Sequence, residues 1–179
     1  MGSEPDGTPI MMQDHLCRMA RYNRWANDRL HAAIEQLPRN VYHQPRQAFF
    51  GSIHGTLNHL LVGDEVWLSR FERQPTPDVK LDDQPFSDLK ALRAARSAMD
   101  ERIIALADSY DAAEIGQTIR YRMITLPDEI EMPLAICWMH LFNHQTHHRG
   151  QIHDQLSQTD VPPPSIDLIY YVIETGNAV

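Results

Sequence analysis

The chain has 179 residues, 42% of them apolar and 22% charged, a composition that suits one globular unit with a sizeable core and excludes a chain disordered throughout. A net charge of −8, with sixteen Lys and Arg scattered along the chain, argues against a nucleic-acid-binding face, and no run reaches the roughly eighteen apolar residues of a membrane span. Two cysteines, Cys17 and Cys137, make no disulfide framework; both read as small core residues, which points to a reducing, cytoplasmic setting.

Residues 1–10, MGSEPDGTPI, carry Gly, Pro and acidic residues where a signal peptide needs basic residues and then an apolar run. They are expected to form a flexible tail ahead of a single domain over residues 11–179. From Met12 to about Gln36, Leu16, Met19, Ala26, Leu30 and Ala33 step by three, four and seven, which predicts a long amphipathic helix that Pro38 ends. Asn23 interrupts its apolar stripe and is expected to bond to a neighbouring helix.

After a turn-like stretch from Pro38 to Pro45, a second helix is predicted over about Phe50 to Arg73, with Ile53, Leu57, Leu60, Trp67, Leu68 and Phe71 along one side and Pro75 and Pro77 beyond it. His59 lies at the shoulder of this stripe, His54 toward its opposite edge and Asp64 near its centre. A carboxylate on an apolar face is costly unless paired, so Asp64 is expected either to meet an arginine, the simpler outcome, or to orient a ligand imidazole.

Residues 74–86 form a polar, proline-bearing linker, and Ser87 is the expected cap of a third helix running to about Tyr110. The period then changes. Ile119, Tyr121 and Met123 alternate with Thr118, Arg120 and Arg122 as in a half-buried strand, with a turn at Leu126, Pro127 and Asp128 and a return strand over Glu129 to Met132. Pro133 suits the first turn of a fourth long helix reaching about Gln158, in which Gly150 is expected to mark close packing. Pro162, Pro163 and Pro164 stop the chain before a short apolar helix over Ser165 to Ile173, capped by Ser165 or Asp167. The fold class is therefore all-α: a four-helix bundle with a small β-hairpin before the last long helix and a short C-terminal helix.

The fourth helix carries the chemistry. Cys137 to Gln155 holds five of the ten histidines. His144 and His148 stand one turn apart, on the same face as Leu134, Cys137, Leu141 and Ile152, so the pair faces a core. Two buried imidazoles are expensive unless every nitrogen finds a partner, and one divalent ion satisfies both. Spacing therefore nominates His144 and His148 as ligands, with a third from a facing helix left open among His54, His59 and Asp64. His140 lies one turn before His144, His147 lies beside it, and His153 points away toward solvent. Arg70, Arg149, Tyr121 and Tyr170 are candidates to contact an anionic substrate.

The run NHQTHHRGQIH (Asn143 to His153) resembles the signature of the DinB superfamily, and YNRWAN (Tyr22 to Asn27), TLNHLLVGDEVWLSRF (Thr56 to Phe71) and a proline-rich segment followed by IDLIYYV agree with it in order over almost the whole chain. That resemblance implies a divalent metal held by three histidines, His59 from the second helix with His144 and His148, leaving His140 and His147 as non-ligating companions. Zinc or nickel suits such ligands, and iron, cobalt or manganese are also accommodated by imidazole. It further implies a homodimer. Characterised members of the superfamily include thiol-dependent S-transferases and an isomerase that uses a low-molecular-weight thiol. The expected function is thus a metal-dependent thiol S-transferase acting on a small-molecule substrate. The alternatives are a metal-dependent hydrolase and a non-catalytic stress-response module that binds metal.

Overall fold

The structure, a computed structural model, describes residues 11–124 and 128–176. The expected N-terminal tail and, in the hairpin turn, Leu126 and Pro127 lie outside these residues. Four long helices make the body: α1 (Met12–Ile34), α3 (Ile53–Phe71), α4 (Leu89–Ser109) and α6 (Leu134–Ser157). The short helix α2 (Arg39–Tyr42) occupies the stretch that the sequence marks as turn-like, α5 (Ala112–Ile115) lies between α4 and the hairpin, and α7 (Leu168–Thr175) ends the described helices. Around the bundle α1 packs on α4 and α6, and α3 packs on the same two helices. Among the described residues, no helix is long and apolar enough to cross a membrane.

The apolar stripes meet along the bundle axis. Leu16, Leu30 and Ile34 of α1, Leu60 and Leu68 of α3, Leu92 and Ile103 of α4, and Leu141 and Ile152 of α6 are all essentially inaccessible; each such side chain contributes about 1.5–3 kcal/mol of transfer free energy. Trp138 stacks on Phe71 at 4.5 Å and on Phe142 at 5.7 Å between ring centroids, which seals the end of the core nearest the hairpin. Strands β1 (Thr118–Arg122) and β2 (Glu129–Pro133) pair antiparallel, with Thr118 opposite Pro133 and Tyr121 opposite Ile130. Pro133 thus closes the hairpin and lies just outside α6 rather than in its first turn.

Further expectations about the helices are corrected. Asp88, not Ser87, caps α4, its Oδ1 accepting from the Ala91 amide at 2.9 Å. Gly150 meets nothing: a Cβ there would have no atom within 4 Å, so it marks no close packing. Asp167 precedes α7 without a side-chain cap bond. Asn23 does bond across helices, its Nδ2 donating to Asp100 Oδ1 on α4 at 3.0 Å.

A buried polar layer crosses the core. Arg96 lies between Asp64, at 2.5 Å, and Asp100, at 2.9 Å, while Arg149 donates to Asn23 and Asn27, which in turn donate to Asp100. Two arginines and two aspartates balance one another, which is what makes their burial tolerable.

Candidate metal centre

Three imidazoles converge in the seam between α3 and α6. His59 Nε2 stands 3.0 Å from His144 Nε2 and 3.2 Å from His148 Nε2. One ligand atom from each of the three lies within 4.8 Å of the others. His59 and His148 are buried and His144 half-buried.

Two of the rings are held by hydrogen bonds from outside the cluster, whereas His144 Nδ1 is buried without a partner among the described residues. His59 Nδ1 lies 2.7 Å from the Leu81 carbonyl, which can only accept, so the proton sits on Nδ1 and the Nε2 lone pair points inward. His148 Nδ1 lies 2.8 Å from Gln151 Oε1, which fixes the same tautomer, and Gln151 is itself oriented by its Nε2 at 3.1 Å from His147. His144 packs on Gly63: a Cβ at that position would come 3.1 Å from His144 Cε1. Phe50 stacks on His59 with ring centroids 3.8 Å apart and meets His148 edge-on at 5.5 Å.

The sequence builds these supports locally. Ser52 caps α3 by accepting from the Gly55 amide at 3.0 Å. Gly55 has no alternative, since a Cβ there would fall 2.1 Å from the Phe50 carbonyl oxygen; that close approach delivers Phe50 to the His59 ring. One turn on, the fully buried Asn58 grips the backbone of Phe86 and so docks the 74–86 linker that carries Leu81.

Two inward lone pairs at 3.2 Å repel unless something positive lies between them. One proton on His144 Nε2 can serve a single neighbour. A second proton is disfavoured, because burial, and then the neighbouring His148 and His59, push His144 down to about 3, while burial pushes His148 down to about 4 against the opposing hydrogen bond from Gln151. His59 is lowered too, by burial set against its bond to Leu81. Nitrogens about 2.0–2.1 Å from one ion stand about 2.8–3.4 Å apart for bond angles between roughly 90° and 109°. The donor set therefore fits a divalent cation in spacing, and His59 and His148 fit it in protonation as well.

The other candidates go elsewhere. His54 turns to Tyr42, Nδ1 to hydroxyl 2.9 Å, on the far edge of α3. Asp64 forms the expected arginine pair, with Arg96, and also accepts from Gln145 Nε2 at 2.5 Å. His140 leans on Trp67 with its ring 5.8 Å from that of His144, and His147 lies 4.8 Å from the His148 ring. His153 is half-buried beside Tyr22 and Arg149 in a cleft rather than in open solvent. Cys137 is buried, whereas Cys17 is only partly so. Outside His148, a groove of about 780 Å³ is lined by Arg46, Gln47, Phe49, His147, Gln151 and Gln155 among others. Gly55, Asn58 and Gly63 are the residues that sequence reasoning passes over, since each matters through a partner distant in the chain.

Comparison with known proteins agrees with this architecture. The model of the DinB family matches residues 12–176. The chain is also 27% identical over 169 residues to Protein DinB of Bacillus subtilis (strain 168), an alignment covering 92% of this chain and 97% of that protein.

Proposed function

The chain belongs to the DinB family, and from that premise we propose that it is a metal-dependent enzyme that holds a divalent ion through Nε2 of His59, His144 and His148 and activates a low-molecular-weight thiol for transfer to a small electrophile. The observation that carries this reading is the pair of inward lone pairs on His59 and His148, fixed by Leu81 and Gln151 and 3.2 Å apart. Three neutral imidazoles leave at least one position of such an ion open. When bound, the ion supplies a positive centre that keeps a thiol deprotonated at neutral pH and hence nucleophilic.

The chain's own part is to orient and to exclude. Phe50 covers the cluster on one side, and Gly63 leaves room for the His144 ring. Trp67 and His140 wall the seam beyond it. In the reaction the thiol gives up its proton to solvent, sulfur forms the new bond to the electrophilic carbon, and the leaving group departs with the electron pair of the bond that breaks.

Hydrolysis is the weaker alternative, because it asks for a general base beside the ion, for which the candidates are Asp64, Glu65 and His140, and His140 packs on Trp67 with its ring 5.8 Å from that of His144. The two carboxylates midway along α3 are both engaged, Asp64 by Arg96 and Glu65 by Arg102 at 2.7 Å. Adding a small thiol to cobalt-substituted protein should produce a sulfur-to-cobalt charge-transfer band that His148→Ala abolishes. A cobalt spectrum indifferent to thiols would instead favour the non-catalytic metal-binding module.

A further inference from the structure

The α3–α6 seam continues past the imidazole cluster. Along α3, His59, Gly63, Trp67 and Arg70 follow at steps of four, four and three and so share one face. Across the seam, His59 meets His148, Gly63 meets His144 and Trp67 meets His140, and Arg70 lies within electrostatic reach of His140 and Cys137.

Arg70 ends this row in an unusual state. It is 9% exposed, and its guanidinium lies 4.6 Å above the Trp67 ring and 4.4 Å from the Tyr121 ring. Among the described residues it makes one hydrogen bond, from Nη2 to the Arg122 carbonyl at 2.9 Å, and its buried Nε has no partner. The other buried arginines are held more fully: Arg96 has Asp64 and Asp100, and Arg149, whose Nε likewise lacks a partner among the described residues, donates to Asn23, Asn27 and Thr146. Among the described residues no carboxylate pairs with Arg70. A buried guanidinium held only by ring faces and one carbonyl keeps its charge uncompensated, which is costly for a structural residue and apt for one awaiting an anion.

We propose that Arg70 is the anion-recognition residue of the site and binds a carboxylate of the reacting molecules. For the reacting end, this inference rests on the thiol-transfer reading above. Seven residues separate Gly63, which packs on His144, from Arg70, about 10 Å along the helix axis. The substrate class that follows is an extended small molecule with its carboxylate on the order of 10 Å from the reacting atom, with its body lying along the outer side of the Trp67–His140 contact. A peptide-like or acid-bearing thiol has this form, and so does an acid-bearing electrophile.

The carboxylate end can be tested without metal. Titration calorimetry of the metal-free protein with octanoate and with octanamide should give at least tenfold tighter binding of the acid. Arg70→Gln should erase that preference, and Arg70→Lys, which keeps the charge and guards against misfolding, should retain part of it. Equal binding of acid and amide, binding of neither, or a preference surviving in Arg70→Gln overturns the assignment, whatever becomes of the metal reading.

The cobalt-loaded protein then distinguishes the two sources of the carboxylate. Tighter binding of 8-mercaptooctanoate than of 8-mercaptooctanol, lost in Arg70→Gln, places the acid on the thiol. Equal thiol affinities with octanoate bound alongside place it on the electrophile.

Discussion

Asn58 clasps the backbone of Phe86 from both sides, its Nδ2 donating to the carbonyl at 3.2 Å and its Oδ1 accepting from the amide at 3.0 Å. A residue inside α3 thereby docks the linker whose Leu81 carbonyl fixes the proton of His59, one residue further along the same helix. Asn58→Leu removes both bonds while keeping the volume apolar. We expect a loss of about 1–3 kcal/mol of stability from the orphaned backbone groups. Metal affinity should fall about 10–100-fold as His59 loses its outer partner. Denaturant unfolding and metal titration of the variant check the two effects separately.

Gly63→Ala should separate site from fold. Alanine favours a helix interior by about 0.8–1.0 kcal/mol over glycine, but its Cβ would stand 3.1 Å from His144 Cε1 and push the ring outward. The metal-free variant should melt no lower than wild type, while its metal affinity drops at least tenfold. Unaltered affinity would show that the ring has room to yield.

The buried ion layer predicts strong non-additivity. Asp64→Leu leaves Arg96 with only Asp100 and should cost about 3–5 kcal/mol, the usual penalty for breaking a buried pair. Combining it with Arg96→Met should cost less than the sum of the single changes, because the uncompensated charge goes too. Urea unfolding of the two single variants and the double variant gives the coupling directly.

His31 makes stability depend on pH. Its two ring nitrogens are buried and have no partner among the described residues, and burial, with Arg96 and Arg93 nearby, pushes its pKa down to about 3. Between about pH 6.5 and 3 the unfolded chain binds a proton that the folded chain refuses, so stability falls as pH falls through that window. By pH 5 the loss from this residue alone is about 2 kcal/mol. His31→Leu should be near neutral at pH 7 and should flatten the acid limb of a stability–pH curve measured on metal-free protein.

The long helices and the hairpin were legible because their stripes repeat locally over many residues. The one-turn spacing of His144 and His148 was equally local. The helical wheel of α3 left His54, His59 and Asp64 open, and the structure shows why: what separates them is Tyr42 for His54, Leu81 for His59, and Arg96 on α4 for Asp64. None of these partners lies within the same helix. Asp88 displaced Ser87 as a cap by a single residue, within the ordinary imprecision of helix ends. Gly55 and Gly63 carry no signal of their own in the sequence, because what makes them necessary is the Phe50 carbonyl and the His144 ring that stand against them.

Metal content of untagged protein, compared among wild type, His59→Ala, His144→Ala and His148→Ala, tests the central claim most directly. We predict close to one divalent ion per chain in wild type and its loss in all three variants, with the fold retained. Wild-type protein that carries no ion and takes none up from zinc, nickel or cobalt would contradict the account and leave the three rings as core residues.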